Sequence, residues 1–171
     1  GSVGEAQVQF IDLQTQYRKL KEQIDFRVQK VLDHGSYILG PEVFEFEEIL
    51  ADYVGVKHAV TCGNGTDALQ LSLMALGIGP GDVVLTTTFT FFATAEVICL
   101  IGATPIFVDI DERTFNIDPV KLEEAIVNFQ STNGETIKAV IAVDLFGLPA
   151  DYPLISAICN KYNLKLVEDF A

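Results

Sequence analysis

The run Ala139-Val140-Ile141-Ala142-Val143 decides the fold. Five consecutive apolar residues with no polar alternate suit a strand buried on both faces, the habit of parallel sheets. With its leading residues the predicted strand covers Ile137–Val143. Working outward, Tyr152–Tyr162 reads as a helix and Lys165–Glu168 as a last strand. Upstream, Asp118-Pro119 forms an N-cap and N1 pair for a helix through Val127. Before it come strands at Thr104–Val108, Val83–Thr87 and His58–Cys62, separated by helices near Ala93–Ile101 and over Thr66–Leu76. Strands alternating with helices predict βαβ crossovers: an α/β three-layer sandwich with a mostly parallel sheet and helices on both faces.

The N-terminal region follows a different period. Tyr17, Leu20, Ile24, Val28 and Val31 recur at three- and four-residue spacings, which predicts an amphipathic helix over Gln14–Leu32. Gly35 stops it, and Pro41 opens a second helix that runs to about Tyr53 and ends at Gly55. The expected organisation is a tag or disordered start over residues 1–8, a helical segment over 9–55, and part of a large α/β domain over 56–171. Gly1-Ser2 resembles a cloning scar. Ser131–Glu135 is expected to be a mobile loop. The sequence stops at Ala171 just after a strand, where a parallel sheet does not normally end, so a fragment is expected.

Composition bounds the function. Hydrophobic residues make up 49% of the 171 and charged ones only 20%, ample for a core. No apolar run approaches the ~20 residues of a membrane span. The three cysteines, Cys62, Cys99 and Cys159, have neither metal spacing nor a disulfide pattern, which predicts a reducing, cytoplasmic setting. A net charge of −13 argues against nucleic acid as a partner. It does not exclude a small phosphorylated ligand, because backbone N–H groups can hold a phosphate without a basic side chain.

Three constellations carry candidate chemistry. The turn Gly63-Asn64-Gly65-Thr66-Asp67-Ala68 opens a helix, where unpaired N–H groups and the positive dipole end favour an anion by up to ~2 kcal/mol. Asp67 would act there through its backbone, with its carboxylate turned away or capping the helix; a plain βα turn explains the same residues. Thr86-Thr87-Thr88-Phe89-Thr90-Phe91-Phe92 lies at the C-terminal end of a strand, where α/β sheets place ligands. Its phenylalanines are either core or a flat wall for an aromatic ring. Val167-Glu168-Asp169 brings a carboxylate to the same edge of the sheet, as a helix N-cap or as partner to a protonated ring nitrogen. Together the three suit one flat, phosphorylated, nitrogen-containing ring, and pyridoxal 5'-phosphate (PLP) is such a ring.

The chain resembles the DegT/DnrJ/EryC1/StrS family of sugar aminotransferases along nearly its whole length. The matching stretches are Phe10-Ile11-Asp12-Leu13, Gly35-Ser36-Tyr37-Ile38-Leu39-Gly40-Pro41-Glu42-Val43 and Asn64-Gly65-Thr66-Asp67-Ala68-Leu69. They continue with Ala75-Leu76-Gly77-Ile78-Gly79-Pro80-Gly81-Asp82, Gly102-Ala103-Thr104-Pro105, Val108-Asp109-Ile110-Asp111 and Val167-Glu168-Asp169. The resemblance implies the large domain of fold-type I PLP-dependent transferases. It also implies that Gly65 and the backbone at Thr66 and Asp67 hold the cofactor phosphate, and that Phe91 stacks on the ring. Asp169 then pairs with the pyridine nitrogen, Ala171 lies under the opposite face, and Ser36 and Tyr37 touch substrate. Asp144 stands where relatives carry His or Ser and receives no role. The family's Schiff-base lysine follows the Val-Glu-Asp stretch, whereas the eight lysines here all precede Asp169. The chain as written is therefore expected to be inactive alone, without a catalytic residue of its own.

By that resemblance the complete protein is a homodimeric aminotransferase. It passes an amino group from glutamate to a nucleotide-linked keto-sugar by a ping-pong mechanism, in cell-surface polysaccharide or related sugar biosynthesis. Gln9–Leu13 and the His34–Pro41 loop most resemble members acting on UDP-linked 3-keto-hexuronic acids; a nucleotide-linked 4-keto-6-deoxy sugar is the alternative substrate. The rival from another class is a non-catalytic member that binds PLP or a sugar nucleotide as a sensor or scaffold. A Rossmann dehydrogenase fits worse, because Gly63-Asn64-Gly65 lacks the third glycine of the dinucleotide fingerprint.

Overall fold

A computed structural model describes residues 10–131 and 134–170. The start expected over 1–8, two residues of the Ser131–Glu135 loop, and Ala171 lie outside the described residues. The chain divides into two compact units, Gly1–Thr61 and Cys62–Ala171.

In the first unit, α1 covers Leu13–His34 and α2 covers Pro41–Val54. Asp12 caps α1, its carboxylate accepting the Thr15 N–H at 2.9 Å and the Thr15 hydroxyl at 2.6 Å. Gly35 ends α1 in the left-handed region at φ 67°, which glycine adopts without Cβ strain. Pro41 occupies the first turn of α2, where its missing N–H costs nothing. Arg27–Glu45 at 2.9 Å and Lys30–Glu42 at 3.2 Å tie the two helices together. The amphipathic stripe of α1 is not covered: the helix buries no residue, and Tyr17, Leu20, Ile24 and Val28 are exposed.

The strand expected at His58–Cys62 is absent. The Thr61 N–H, which would join a ladder, instead donates to the Glu47 carboxylate at 2.7 Å, and the Thr61 hydroxyl donates to the same oxygen. Val60 is 86% exposed, so its side chain has no layer to pack against.

The second unit carries the sheet. α3 (Gly65–Ala75) precedes β1 (Asp82–Thr87), α4 (Ala93–Leu100), β2 (Thr104–Val108) and α5 (Pro119–Val127). β3 (Thr136–Val143), a 3-10 turn at Leu145–Gly147, α6 (Tyr152–Lys161) and β4 (Lys165–Asp169) complete it. All four strands pair in parallel in the order β2-β1-β3-β4. Residues of α3 and α4, among them Leu73, Val97 and Ile98, pack on Val84, Ala139 and Ile141. On the other face, Leu122 of α5 and Ile155 and Cys159 of α6 pack on Leu85, Val140 and Ala142. Alternate residues of β3 thus feed opposite cores, as its unbroken apolar run requires. The result is the expected three-layer α/β arrangement.

The strand order positions the site. From β1 the chain crosses to β2 on one side, and from β2 it returns past β1 to β3 and then β4 on the other. The direction reverses between β1 and β3. Parallel α/β sheets bind ligands outside the carboxyl ends of the strands at such a reversal.

Candidate functional site

Asp169 is the last residue of β4, two residues beyond Val167, whose side chain packs against the α3/α4 core. Strand alternation puts the Asp169 side chain on that same face. There its Oδ2 accepts the Thr94 hydroxyl of α4 at 3.2 Å, and Thr94 Oγ1 in turn lies 2.9 Å from Thr90 Oγ1. The backbone is fixed as well, since the Asp144 N–H donates to the Asp169 carbonyl at 2.9 Å. Asp169 is half-buried, and burial pushes its carboxyl above the ordinary value. The Thr94 hydrogen bond opposes that rise and the charge of Asp144 adds to it. None of the ion pairs formed among the described residues involves Asp144, Glu168 or Asp169.

Asp144 closes β3 and is itself buried. Its Oδ1 accepts the Ala150 N–H at 2.9 Å and the Tyr152 hydroxyl at 2.6 Å, so it anchors the turn into α6. Burial and that carboxylate hold the Tyr152 phenol well above its usual range.

The Gly65–Asp67 turn opens α3 as expected. Asn64 sits in extended backbone, and its Oδ1 accepts the Asp67 N–H at 2.9 Å. Its amide nitrogen reaches back to the Asp67 carboxylate at 3.0 Å. This reciprocal cap turns the Asp67 carboxylate onto the cap and also occupies its backbone donor, which narrows the expected anchor. Among the described hydrogen bonds, the N–H groups of Gly65 and Thr66 have no protein acceptor. Substituting Asn64 by Ala removes the cap, and we expect a loss of about 0.5–2 kcal/mol in a chemical-denaturation measurement.

The phenylalanines after β1 are not core. Phe91 and Phe92 are 74% and 72% exposed, and Phe89 is 46% exposed. Phe89 packs instead against Phe115 at 5.7 Å and Phe146 at 6.5 Å between ring centroids. Phe115 and Phe146 both hold positive φ, 61° and 55°, which bulky residues rarely adopt. Phe91 follows β1, beside the reversal of strand order, and precedes the helix turn that carries Thr94. Ser36 and Tyr37 belong to the N-terminal unit, in the loop between α1 and α2. The Ser36 N–H donates to His34 Nδ1 at 3.0 Å and the Tyr37 side chain is exposed. Ala171 lies outside the described residues.

Two residues at this site escaped the sequence reading, Thr90 and Thr94. Thr94 interrupts an apolar helix three and four residues before Val97 and Ile98, on the buried face. A polar residue there is the signal that marks it.

The arrangement offers two N–H groups without a protein acceptor at the start of α3 and, on the same face of the sheet, a half-buried carboxylate with one hydroxyl donor. The profile of the DegT/DnrJ/EryC1/StrS aminotransferase family matches residues 18–171. The UDP-2-acetamido-2-deoxy-3-oxo-D-glucuronate aminotransferase of Pseudomonas aeruginosa is 52% identical over 164 residues, which are 96% of this chain and 44% of that protein. A pleiotropic regulatory protein of Geobacillus stearothermophilus is 45% identical, over 96% of this chain and 42% of its own length. The crystal structure of NtdA from Bacillus subtilis with bound cofactor PMP superposes with a TM-score of 0.86 at 34% identity, covering 96% of this chain and 37% of that one. The chain therefore spans less than half the length of the relatives it matches.

Proposed function

The chain belongs to the DegT/DnrJ/EryC1/StrS aminotransferase family, and from that premise we propose that the complete protein moves an amino group from glutamate to a nucleotide-linked keto-sugar with PLP as cofactor. The observation that carries this reading is Asp169: a half-buried carboxylate at a strand end, hydrogen-bonded by one hydroxyl and paired with no cation among the described residues. A protonated ring nitrogen is the complement such a group lacks. The residues present fit the cofactor. Gly65 and Thr66 N–H groups would hold its phosphate, Phe91 would face its ring, and Asp169 would keep its nitrogen protonated. When bound, PLP supplies an electron sink for the bond changes at the amino-bearing carbon.

This chain's residues bind and orient; the proton transfers at the substrate carbon fall to the family lysine, which follows the Val-Glu-Asp stretch and lies outside these 171 residues. The Asp169 carboxylate would favour a cation at the ring position. It would act by electrostatic preorganisation, typically worth about 10²–10³ in rate for one such contact.

The substrate we propose is a UDP-linked 3-keto-hexuronic acid, supported by the name of the Pseudomonas relative, in polysaccharide or related sugar biosynthesis. Ser36 and Tyr37 are proposed to meet it. The complete protein is proposed to act as a homodimer, consistent with the uncovered stripe of α1 and the exposed phenylalanines after β1. Light scattering of the complete protein should give twice the subunit mass; a stable monomer at working concentration contradicts it. No described helix is long and apolar enough to cross a membrane. The free cysteines support a cytoplasmic setting.

The test supplies the complete protein with PLP, glutamate carrying isotope-labelled nitrogen, and each of two acceptors: the UDP-linked 3-keto-hexuronic acid and a nucleotide-linked 4-keto-6-deoxy sugar. Label should appear in the first. Label only in the second changes the substrate and keeps the enzyme. The name of the Geobacillus relative favours a second reading, a non-catalytic regulatory member. Cofactor or nucleotide-sugar binding without transfer to any keto-sugar would establish that reading instead.

A further inference from the structure

The hydrogen-bond chain behind Asp169 has a direction. An ionised carboxylate only accepts, so the Thr94 hydroxyl donates its single proton to Asp169 Oδ2 across 3.2 Å. Thr94 then has no proton left for Thr90, and the 2.9 Å contact between the two hydroxyls must be a donation from Thr90 to Thr94. Thr94 is only 1% exposed, on the first turn of α4, so water does not substitute for its hydroxyl. Its hydroxyl lies between Asp169 Oδ2 and Thr90 Oγ1, and these two contacts fix where it points. Oδ1 of Asp169 accepts no hydrogen bond from the described residues and is left for another donor.

Resting on the reading of Asp169 given above, we infer that Thr94, oriented by Thr90, is a positioning residue that holds one oxygen of the Asp169 carboxylate and presents the other to the ring nitrogen. The chain also works on charge. Burial disfavours the Asp169 anion, and the Thr94 donor opposes that. The other ionisable groups that bear on this corner are Asp144 at the end of β3, Glu168 beside it on β4, and Tyr152 on α6. The charge of Asp144 disfavours the anion further, and Tyr152 spends its proton on Asp144. Thr94 is thus the side chain that steadies Asp169 in the form the reading needs.

The experiment uses the complete holoenzyme and compares Thr94→Val, Thr94→Ser, Thr90→Val and Asp169→Asn with the unmodified protein. Thr94→Val keeps the shape and deletes the donor. Its kcat/KM should fall about tenfold, the loss of one hydrogen bond to a charged group, with the melting temperature nearly unchanged. The pH at which the bound cofactor's visible absorbance changes should shift, a readout that a purely structural role leaves still. Thr94→Ser should restore both rate and spectrum, and Thr90→Val should show a smaller loss of the same kind. If Thr94→Val does not fold, Thr90→Val and Thr94→Ser still decide, since a wild-type spectrum and rate in Thr90→Val with a disturbed one in Thr94→Ser would overturn the chain. Wild-type rate and spectrum in Thr94→Val beside a crippled Asp169→Asn would end the positioning role and leave Asp169 in place. Full activity in Asp169→Asn would end both.

Discussion

Replacing Asp169 by Asn in the complete protein is expected to lower the proposed amino transfer by about 10²–10³-fold, the usual cost of one preorganised electrostatic contact, while the fold survives. The amide matches the carboxylate in shape and still accepts the Thr94 hydroxyl, so the hydrogen bond at 3.2 Å has a counterpart in the variant. What disappears is the charge proposed to hold a proton on the ring nitrogen. Stability should move the other way. The folded Asp169 carboxyl lies above its ordinary value of 3.8, chiefly because it is buried. A group with a raised folded pKa contributes stability below the unfolded value, and that contribution is lost as pH rises through the folded one. At neutral pH the ionised carboxylate is therefore a liability to the cofactor-free protein, and Asp169→Asn should melt at the same or a higher temperature. Any such gain should shrink as the pH is lowered from neutral toward the ordinary carboxyl value of 3.8, and be gone below it. Calorimetry of the cofactor-free variants checks this beside the rate assay. A variant that loses both activity and stability would place Asp169 in the structure rather than in the chemistry.

Gly65→Pro should weaken cofactor binding by about ten- to a hundredfold, since hydrogen bonds to charged groups contribute about 1.5–3 kcal/mol. The backbone around this position accepts proline. Gly65 is the first residue of α3, where an N–H has no intrahelical partner, and Asn64 before it is extended at ψ 175°. A Cβ at Gly65 meets nothing within 4 Å. The substitution thus deletes one N–H and leaves the helix, the Asn64 cap and the Asp67 lock intact. Gly65→Ala is the control, because it adds the carbon and keeps the donor. Equilibrium titration of the complete protein with PLP measures both. Equal affinities for the two variants would mean that the Gly65 N–H does not touch the phosphate.

Much of the fold was legible because burial on two faces leaves a plain mark. The unbroken run at Ala139–Val143 requires two apolar cores, and the structure supplies them through alternate residues. The helix start at Asp118 was legible because its side chain caps the helix, whereas the cap at Asn64 was not singled out from the turn around it. The strand expected at His58–Cys62 failed because a local apolar run does not reveal where its hydrogen bonds go; Glu47 takes the Thr61 donor from fourteen residues upstream. The phenylalanines after β1 were ambiguous for a related reason, since composition alone does not separate a core aromatic from an exposed one. At the site, Asp169 was legible as a carboxylate at a strand end. Its hydroxyl partner was not, because Thr94 is 75 positions away in sequence and meets Asp169 only once α4 lies over β4's face of the sheet.

The most direct measurement is of the proton on the cofactor ring. The complete protein, loaded with PLP labelled at its pyridine nitrogen, is read by nitrogen NMR as the unmodified form and as Asp169→Asn. A protonated nitrogen is expected in the unmodified protein at neutral pH and an unprotonated one in the variant. An unprotonated nitrogen in the unmodified protein, or the same signal in both, would contradict the proposed role of Asp169.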